Sequence, residues 1–169
     1  TLDAIWRACA GGLEVPEEAL ERMRHLYAQS VRLLDDWLAG VLEMLDERGV
    51  LDETLVVVTS DHGENFGENG LMAHGFSLDE RLTHVPLVAA GPGSEELSGL
   101  VSLADLPRAL ARAAGIPHPW GPDLCSGVAV AEFDPPTGPE DERAHRVAAD
   151  WGVGEAGLQD RAPAVTGLQ

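Results

Sequence analysis

Asp61 and His62 are the two residues of this chain whose chemistry and position best suit a metal ion. They follow the apolar, β-branched segment 55–59 after one serine, Ser60, and precede Gly63. Aspartate offers a hard oxygen ligand and histidine a nitrogen ligand, and both bind divalent cations. A glycine at the next position lets the backbone turn sharply enough for the two side chains to converge. The sequence therefore predicts a divalent-metal site at this turn, although an Asp after a strand often only closes an Asx turn or caps a helix.

A second histidine returns later in the same loop. His74 lies thirteen residues after Asp61 and is again followed by a glycine. The loop is unusually long for a connection inside a compact domain, which favours a functional role. Two of its acidic residues, Glu64 and Glu68, are candidates to accept a hydrogen bond from a metal-ligating imidazole and so orient it. We expect the loop to fold His74 back towards the metal site.

The apolar pattern predicts the elements that position these residues. Residues 16–48 carry apolar side chains at steps of three and four, which predicts one long amphipathic helix. The continuous apolar segments 55–59 and 85–90 predict strands buried on both faces, as in a parallel or mixed sheet between helices. Ser102 is the expected N-cap of a last helix that ends near Gly115. The order of elements predicts an α/β layered fold, whose ligands bind beyond the carboxyl ends of the strands.

The charge balance argues against some classes of partner. The chain has 29 acidic and 11 basic residues, all eleven of them arginine, for a formal net charge of −18. Nucleic acid and anionic membrane surfaces both demand a cationic face, so we expect neither as a partner. The longest apolar run is far too short to cross a membrane, so we expect no transmembrane segment in this chain. The hydrophobic share of 44% is enough for a core.

An ordered set of motifs extends over residues 22–130, in the order Tyr27, Val31, Asp35 or Asp36, Gly49, Thr54, Val56–Glu64, Gly67, His74-Gly75, Glu80, Val85-Pro86-Leu87, Gly91-Pro92-Gly93, Ser102–Leu106 and Gly115-Ile116-Pro117. This set resembles the later part of the catalytic domain of the sulfatase family, within the alkaline-phosphatase-like superfamily of metal hydrolases. The resemblance implies a layered α/β/α sheet of the alkaline-phosphatase-like type. Because it covers only the later part, it also implies an incomplete domain.

The resemblance assigns roles to three residues. Asp61 and His62 fall where the family places two metal ligands. Many sulfatases have Asn at the second position and bind calcium; calcium prefers oxygen ligands, so the histidine here leaves manganese or zinc open. His74 lies close to where the family places a cationic residue that contacts the anionic oxygens of the ester. Substrate binding or protonation of the leaving group is therefore implied for His74, and a structural role for His84.

The motif that carries the family's nucleophile does not occur in this sequence. Sulfatases use a formylglycine, made from Cys or Ser in a Cys/Ser-x-Pro-x-Arg motif, and an Asp pair before it binds the metal. Neither Cys9 nor Cys125 is followed by that proline and arginine, so we expect both to be small buried residues. The sequence starts at Thr1, and we expect a piece of a longer protein. Residues 1–130 would be the C-terminal half of a sulfatase-like catalytic domain, and residues 131–169 a Pro-rich acidic tail that is partly ordered.

The function implied by the resemblance is metal-dependent hydrolysis of sulfuric esters. The substrate would be a small-molecule or glycan sulfate ester, and the missing N-terminal half of the same domain would be the protein partner. Two alternatives stay open. One is a phosphoryl or phosphonate ester hydrolase, or a phosphoglycerol-type transferase, of the same superfamily, because sulfate and phosphate esters differ in charge more than in shape. The other is a catalytically inactive acidic α/β module.

Overall fold

The computed structural model describes residues 2–9, 12–75 and 77–120, with the isolated positions 129, 131, 142, 149 and 150. The tail expected at residues 131–169 and Cys125 lie almost wholly outside these described residues. The described helices are α1 (Leu2–Cys9), α2 (Glu17–Glu47), α3 (Glu80–Thr83) and α4 (Leu106–Ala113), and the strands are β1 (Val56–Thr59), β2 (Asn65–Phe66), β3 (Met72–Ala73) and β4 (Leu87–Ala90). Short 3₁₀ turns occupy Leu51–Glu53, Glu68–Gly70 and Ser94–Leu97. The predicted mixed α/β class is confirmed.

The described residues form two compact units. The first contains residues 2–28 and 62–84, and the second contains residues 29–61 and 85–120. The loop with His62 and His74 belongs to the first unit, whereas Asp61 belongs to the second.

Helix α2 has the start and the end that its sequence predicts. Pro16 precedes it, and the Pro16 carbonyl accepts hydrogen bonds from the backbone N–H groups of the next turn. Glu17 and Glu18 place negative charge at the positive end of the helix dipole. Beyond the last turn, Gly49 adopts a φ of 67°, the left-handed conformation that commonly ends a helix. The apolar stripe is buried only at its beginning, because Leu20 is 8% exposed and Leu34 is 65% exposed.

Strands β1 and β4 form an antiparallel pair in the second unit, with Val57 opposite Ala89. The prediction of burial on both faces is wrong for the described residues, because Val88 is 61% exposed. β-Branched residues favour extended backbone whether or not a layer covers them, so the sequence identified the strands but not their burial. Gly91 ends β4 with a φ of 99°, and a Cβ there would lie 2.2 Å from the Thr54 carbonyl oxygen. Only glycine fits this close approach.

The core of the first unit joins α1, the beginning of α2 and the β2–β3 hairpin. Its buried members are Ala8, Cys9, Leu20 and Met72. Cys9 is buried, as predicted, and its Sγ lies 3.2 Å from Met72 N and 3.3 Å from Met72 O. The thiol therefore bonds the main chain of β3 and couples α1 to the hairpin.

Helix α4 starts later than predicted. Ser102 accepts a hydrogen bond from the backbone N–H of Ala104, but it closes a turn before the helix, which begins at Leu106 with Pro107 in its first turn. The predicted end near Gly115 is confirmed, because Gly115 has a φ of 64° and follows Ala113 closely. Among the described helices, none combines the length and the apolar character needed to cross a membrane.

Candidate active site

The β2–β3 hairpin sets the position of Glu64 and His74. The two strands pair in antiparallel register with Asn65 opposite Ala73. One step further along this register, Glu64 lies opposite His74, so the two side chains project from the same face. The His74 Nδ1 atom is 3.3 Å from Glu64 Oε1 and 3.4 Å from Glu64 Oε2. Glu64 therefore contacts an imidazole, as predicted, whereas the prediction that such an imidazole ligates a metal stays a prediction.

Both imidazoles use Nδ1 for a contact within the loop. The His62 Nδ1 atom is 2.9 Å from the Gly63 carbonyl oxygen, which can only accept, so Nδ1–H donates. By the same reasoning, Nδ1–H of His74 donates to the Glu64 carboxylate. In the neutral rings the lone pair then lies on Nε2, where it can bind a cation; towards a substrate oxygen, Nε2 donates only when the ring carries a second proton. The His74 side chain is 53% exposed, so a substrate can reach it.

The two imidazole rings stack on each other. Their centroids are 4.0 Å apart, with an interplanar angle of 28°. A metal ion lies in the plane of a ligating imidazole, about 2 Å from its nitrogen. Two rings stacked face to face do not point their lone pairs at one ion, so His62 and His74 do not fit as ligands of the same metal. The geometry instead favours a different ligand for each of the two imidazoles.

Asp61 lies in the second unit, directly after β1, and is exposed. The Ser60 hydroxyl is 3.5 Å from Asp61 Oδ1 and donates to it. The structure thus brings His62 and His74 together, and it places Asp61 at the end of the strand as predicted. Among the described residues, no group of three or more His, Cys, Asp or Glu side chains is arranged to hold a metal ion.

Glu68 does not orient an imidazole, and that expectation is wrong. Its carboxylate accepts a hydrogen bond from the Phe66 backbone N–H at 2.6 Å and lies 3.8 Å from Arg24 Nη2. Burial acts to raise the pKa of Glu68, but hydrogen bonds from two backbone N–H groups and the charges of Arg24 and Arg81 hold it below its usual value. The short turn of the hairpin directs Glu68 back onto Phe66, a local geometry that residue spacing alone does not show.

Comparison with known proteins identifies the family. A family model for sulfatases matches residues 7–116, which is more than half of the chain. The chain belongs to the sulfatase family. Its fold class is accordingly the alkaline-phosphatase-like one, as predicted. The match contains Asp61, His62, His74 and Glu64, and it begins at residue 7, before the first residues that carry the sequence resemblance.

Individual sulfatases show how much of a family member the chain spans. It is 33% identical over 114 residues to arylsulfatase K from Bos taurus, an alignment covering 66% of this chain and 21% of the relative. It is 36% identical over 80 residues to choline-sulfatase from Rhizobium meliloti, covering 47% of this chain and 15% of the relative. A multifunctional alkaline phosphatase superfamily protein from Trinickia caryophylli is 33% identical over 91 residues. That alignment covers 53% of this chain and 17% of the relative. The chain thus spans about a fifth of the length of these curated relatives. No solved structure matched significantly.

Gly63 leaves no room for a side chain in this sulfatase loop. A Cβ at this position would lie 1.8 Å from the Arg81 carbonyl oxygen, and the Gly63 N–H donates to the Leu82 carbonyl at 2.9 Å. Gly63→Ala should therefore force the loop away from α3 and lower the free energy of unfolding by about 1–3 kcal/mol. Urea unfolding measures this effect. Gly75→Ala is the control, because among the described residues, its chain neighbours aside, no atom lies within 4 Å of its added Cβ; equal stability of the two variants would contradict the close approach.

Proposed function

We propose that this chain forms part of a metal-dependent sulfuric ester hydrolase, in which Asp61 and His62 bind the metal ion and His74 contacts the ester. The observation that carries the proposal is the pair of stacked imidazoles, His62 and His74, in the loop after β1 of a sulfatase-family chain. Each ring uses Nδ1 for a contact within the loop, and the two stacked rings do not fit one common ligand, so we assign them to different ligands. This division fits one imidazole for the metal and one for the substrate.

The donors present fit a divalent cation. Asp61 offers an exposed carboxylate, and the Nδ1–H donation of His62 to a backbone carbonyl is the arrangement usual for a metal-binding imidazole. Calcium is favoured by the family, and the nitrogen of His62 keeps manganese and zinc in consideration. Such an ion supplies charge stabilisation for the oxygens of the reacting ester and activates the nucleophile. Two donors are fewer than any of these ions takes, so further ligands come from outside this pair.

Residues of this chain contact the substrate and supply the proton for the leaving group. The Nε2 side of His74 faces the ester oxygens, where it donates a hydrogen bond or gives a proton to the leaving alcohol oxygen. Glu64 accepts a hydrogen bond from the opposite side of the ring and holds its orientation. In the net reaction the bond between sulfur and the ester oxygen breaks, water supplies the new oxygen on sulfur, and the alcohol takes up a proton.

We propose that the nucleophile comes from another part of the same catalytic domain. Cys9 is buried and bonded to the main chain of Met72, so its thiol is not placed to attack an ester. The chain covers about a fifth of the length of these relatives, which supports a piece of a longer protein, and the order of its motifs is the reason for assigning residues 1–130 to the C-terminal half of the domain. The missing N-terminal half is then the partner, and residues 131–169 are a Pro-rich acidic tail. The complete protein would act on a small-molecule or glycan sulfate ester.

A phosphoryl or phosphonate ester is the second candidate substrate. It is favoured by the similarity to the multifunctional alkaline phosphatase superfamily protein and by His62, whose nitrogen suits manganese or zinc. Phosphate monoesters carry more negative charge than sulfate monoesters, so the groups of the other half of the domain would decide between them.

Chromogenic esters test the proposal. We expect the chain joined to the rest of its domain to release 4-nitrophenol from 4-nitrophenyl sulfate at least about tenfold faster than from 4-nitrophenyl phosphate, which corresponds to about 1.4 kcal/mol of differential transition-state binding. The 169-residue chain alone should release little or none, because it lacks the nucleophile motif. A faster phosphate reaction would favour the second candidate. Robust turnover by the chain alone, lost in His62→Ala, would contradict the assignment to half a domain.

A further inference from the structure

One face of α2 contacts the hairpin that carries Glu64 and His74. Leu20, Arg24 and Tyr27 are spaced by four and three residues, so they share this face. Leu20 lies under Gly67, where an added Cβ would be 2.7 Å from Leu20 Cδ1. The Tyr27 and Phe66 rings meet edge to face, with centroids 5.2 Å apart. The contact is therefore polar at Arg24 and apolar on both sides of it.

Side chains form hydrogen bonds with both the backbone N–H and the backbone carbonyl of Phe66. Arg24 Nη2 donates to the Phe66 carbonyl oxygen at 2.8 Å, and the Phe66 N–H donates to Glu68 Oε2 at 2.6 Å. Arg24 Nη1 also donates to Glu17 at 2.8 Å, which fixes the guanidinium on its helix. We call Arg24 and Glu68 the Phe66 clamp. It supplies the outer edge of β2 with the hydrogen bonds that a neighbouring strand would otherwise make.

The hairpin needs such support. The ladder has two residue pairs, too few to hold its register alone in water. Ala73, directly before His74, has a φ of 62°, a left-handed conformation that is unfavourable for a residue with a Cβ. Unfavourable backbone conformations persist only where the surrounding structure fixes them. On the other edge, Cys9 Sγ bonds the N–H and the carbonyl of Met72, so both edges of the Phe66–Met72 pair are held by side chains.

We propose that Arg24 and Glu68 are positioning residues for His74, acting through the backbone of Phe66 and the register of the β2–β3 hairpin. The inference rests on the proposed function in one respect, the role of His74 towards the ester. A correct register places Glu64 opposite His74 and so fixes the imidazole that meets the substrate. A changed register moves every side chain of so short a ladder.

The charges of the clamp agree with this role. The hydrogen bond to Glu17 and the nearby carboxylates, Glu68 among them, raise the pKa of Arg24 against the opposing effect of burial. The pKa of Glu68 is lowered despite burial, because the Phe66 N–H and Arg24 favour its charged form. Both groups are therefore charged together over the physiological range.

The test compares Arg24→Ala with Arg22→Ala in the 169-residue chain. Arg22 lies one half-turn away and forms an exposed i,i+4 pair with Glu18 at 3.3 Å, so it controls for the loss of an arginine from this helix. Two readouts are used: the NMR signals of the His74 ring, including exchange of its Nδ1 proton, and the affinity for inorganic sulfate. We expect Arg24→Ala to weaken sulfate binding about tenfold and to speed Nδ1 exchange, and Arg22→Ala to change neither.

Two further variants keep the test decisive if Arg24→Ala unfolds. Arg24→Lys should restore part of the effect, because an ammonium group can donate to the Phe66 carbonyl but cannot also bridge to Glu17. Glu68→Ala removes the other half of the clamp and should reproduce the Arg24→Ala change at His74. Wild-type ring signals and sulfate affinity in both Arg24→Ala and Glu68→Ala would overturn the proposal, as would equal losses in Arg22→Ala.

A His74→Ala variant separates this inference from the proposed function. Unchanged sulfate affinity in His74→Ala, or no sulfate binding by the wild type, would contradict the substrate role of His74. Exchange of the His74 Nδ1 proton is then the readout that tests the Phe66 clamp. Weaker binding in His74→Ala with wild-type behaviour of Arg24→Ala would leave the proposed function intact and overturn only the clamp.

Discussion

Replacing Asp61 or His62 by alanine should weaken Mn²⁺ binding by about 100-fold or more. Removing a group that merely orients a ligand already costs about 10–100-fold in metal affinity, and these variants remove a ligand itself. The effect of His62→Ala should be larger for zinc than for calcium, because only the softer ion gains from a nitrogen ligand. Electron paramagnetic resonance of free Mn²⁺ during titration measures the affinity, and calcium and zinc are ranked by competition.

Matched controls use the same residue types elsewhere in the chain. Asp52 lies in the exposed 3₁₀ turn Leu51–Glu53, and His84 is the exposed residue that ends α3. Asp52→Ala and His84→Ala remove one carboxylate and one imidazole without touching the proposed site. We expect wild-type affinity in both. Unchanged metal content in both Asp61→Ala and His62→Ala would end the assignment of the site, and equal losses in the controls would show nonspecific binding to an acidic protein.

The location of the proposed site follows from a local signal and stays a prediction. A run of β-branched residues predicts a strand, and polar residues directly after it fall at the end of that strand. His74 and Glu64 required one more step, the return of a glycine-rich loop, and the hairpin register then placed them opposite each other. The role of Glu68 could not be read from spacing, because it depends on a turn of three residues that directs its carboxylate to Phe66.

For Arg24, side-chain charge and helical spacing favour different environments. Its charge suggests a solvent-exposed residue, yet its spacing from Leu20 and Tyr27 puts it on a face that contacts the hairpin. Whether such a face meets solvent or main chain depends on which loop lies across it, a tertiary property. The exposure of Val88 in β4, where burial on both faces was predicted, has the same cause. Strand propensity is local, whereas burial needs a second layer, and the described residues leave Val88 exposed.

Of two leucines in the same helix, only one should change its contribution to stability when the rest of the domain is present. Leu20 is 8% exposed and packs in the core of the first unit, whereas Leu34 is 65% exposed. In the 169-residue chain, Leu20→Ala should lower the free energy of unfolding by about 2–5 kcal/mol, because it leaves a cavity. Leu34→Ala should change it by no more than about 0.5 kcal/mol, as expected for an exposed position.

The result for Leu34 should change when the chain is joined to the rest of a sulfatase domain. Leu34 shares the exposed part of the apolar stripe with Val31 and lies near Trp37, which is also exposed. Sulfatase relatives are about five times longer than the aligned segment, so in a protein of that length the other segments would be sufficient to cover this stripe. Leu34→Ala should then cost about 2–5 kcal/mol in the joined protein, the cost expected at a buried site.

Urea unfolding of both proteins, followed by the fluorescence of Trp37 in a variant whose other tryptophans are replaced by Phe, measures the change. Burial of Trp37 in the joined protein should also move its emission to shorter wavelength. Leu20→Ala serves as the internal control, because its cost should be the same in both contexts. If Leu34→Ala stays neutral in the joined protein, the exposed stripe of α2 is not where the remaining sulfatase segments pack, and the half-domain assignment loses its main structural support.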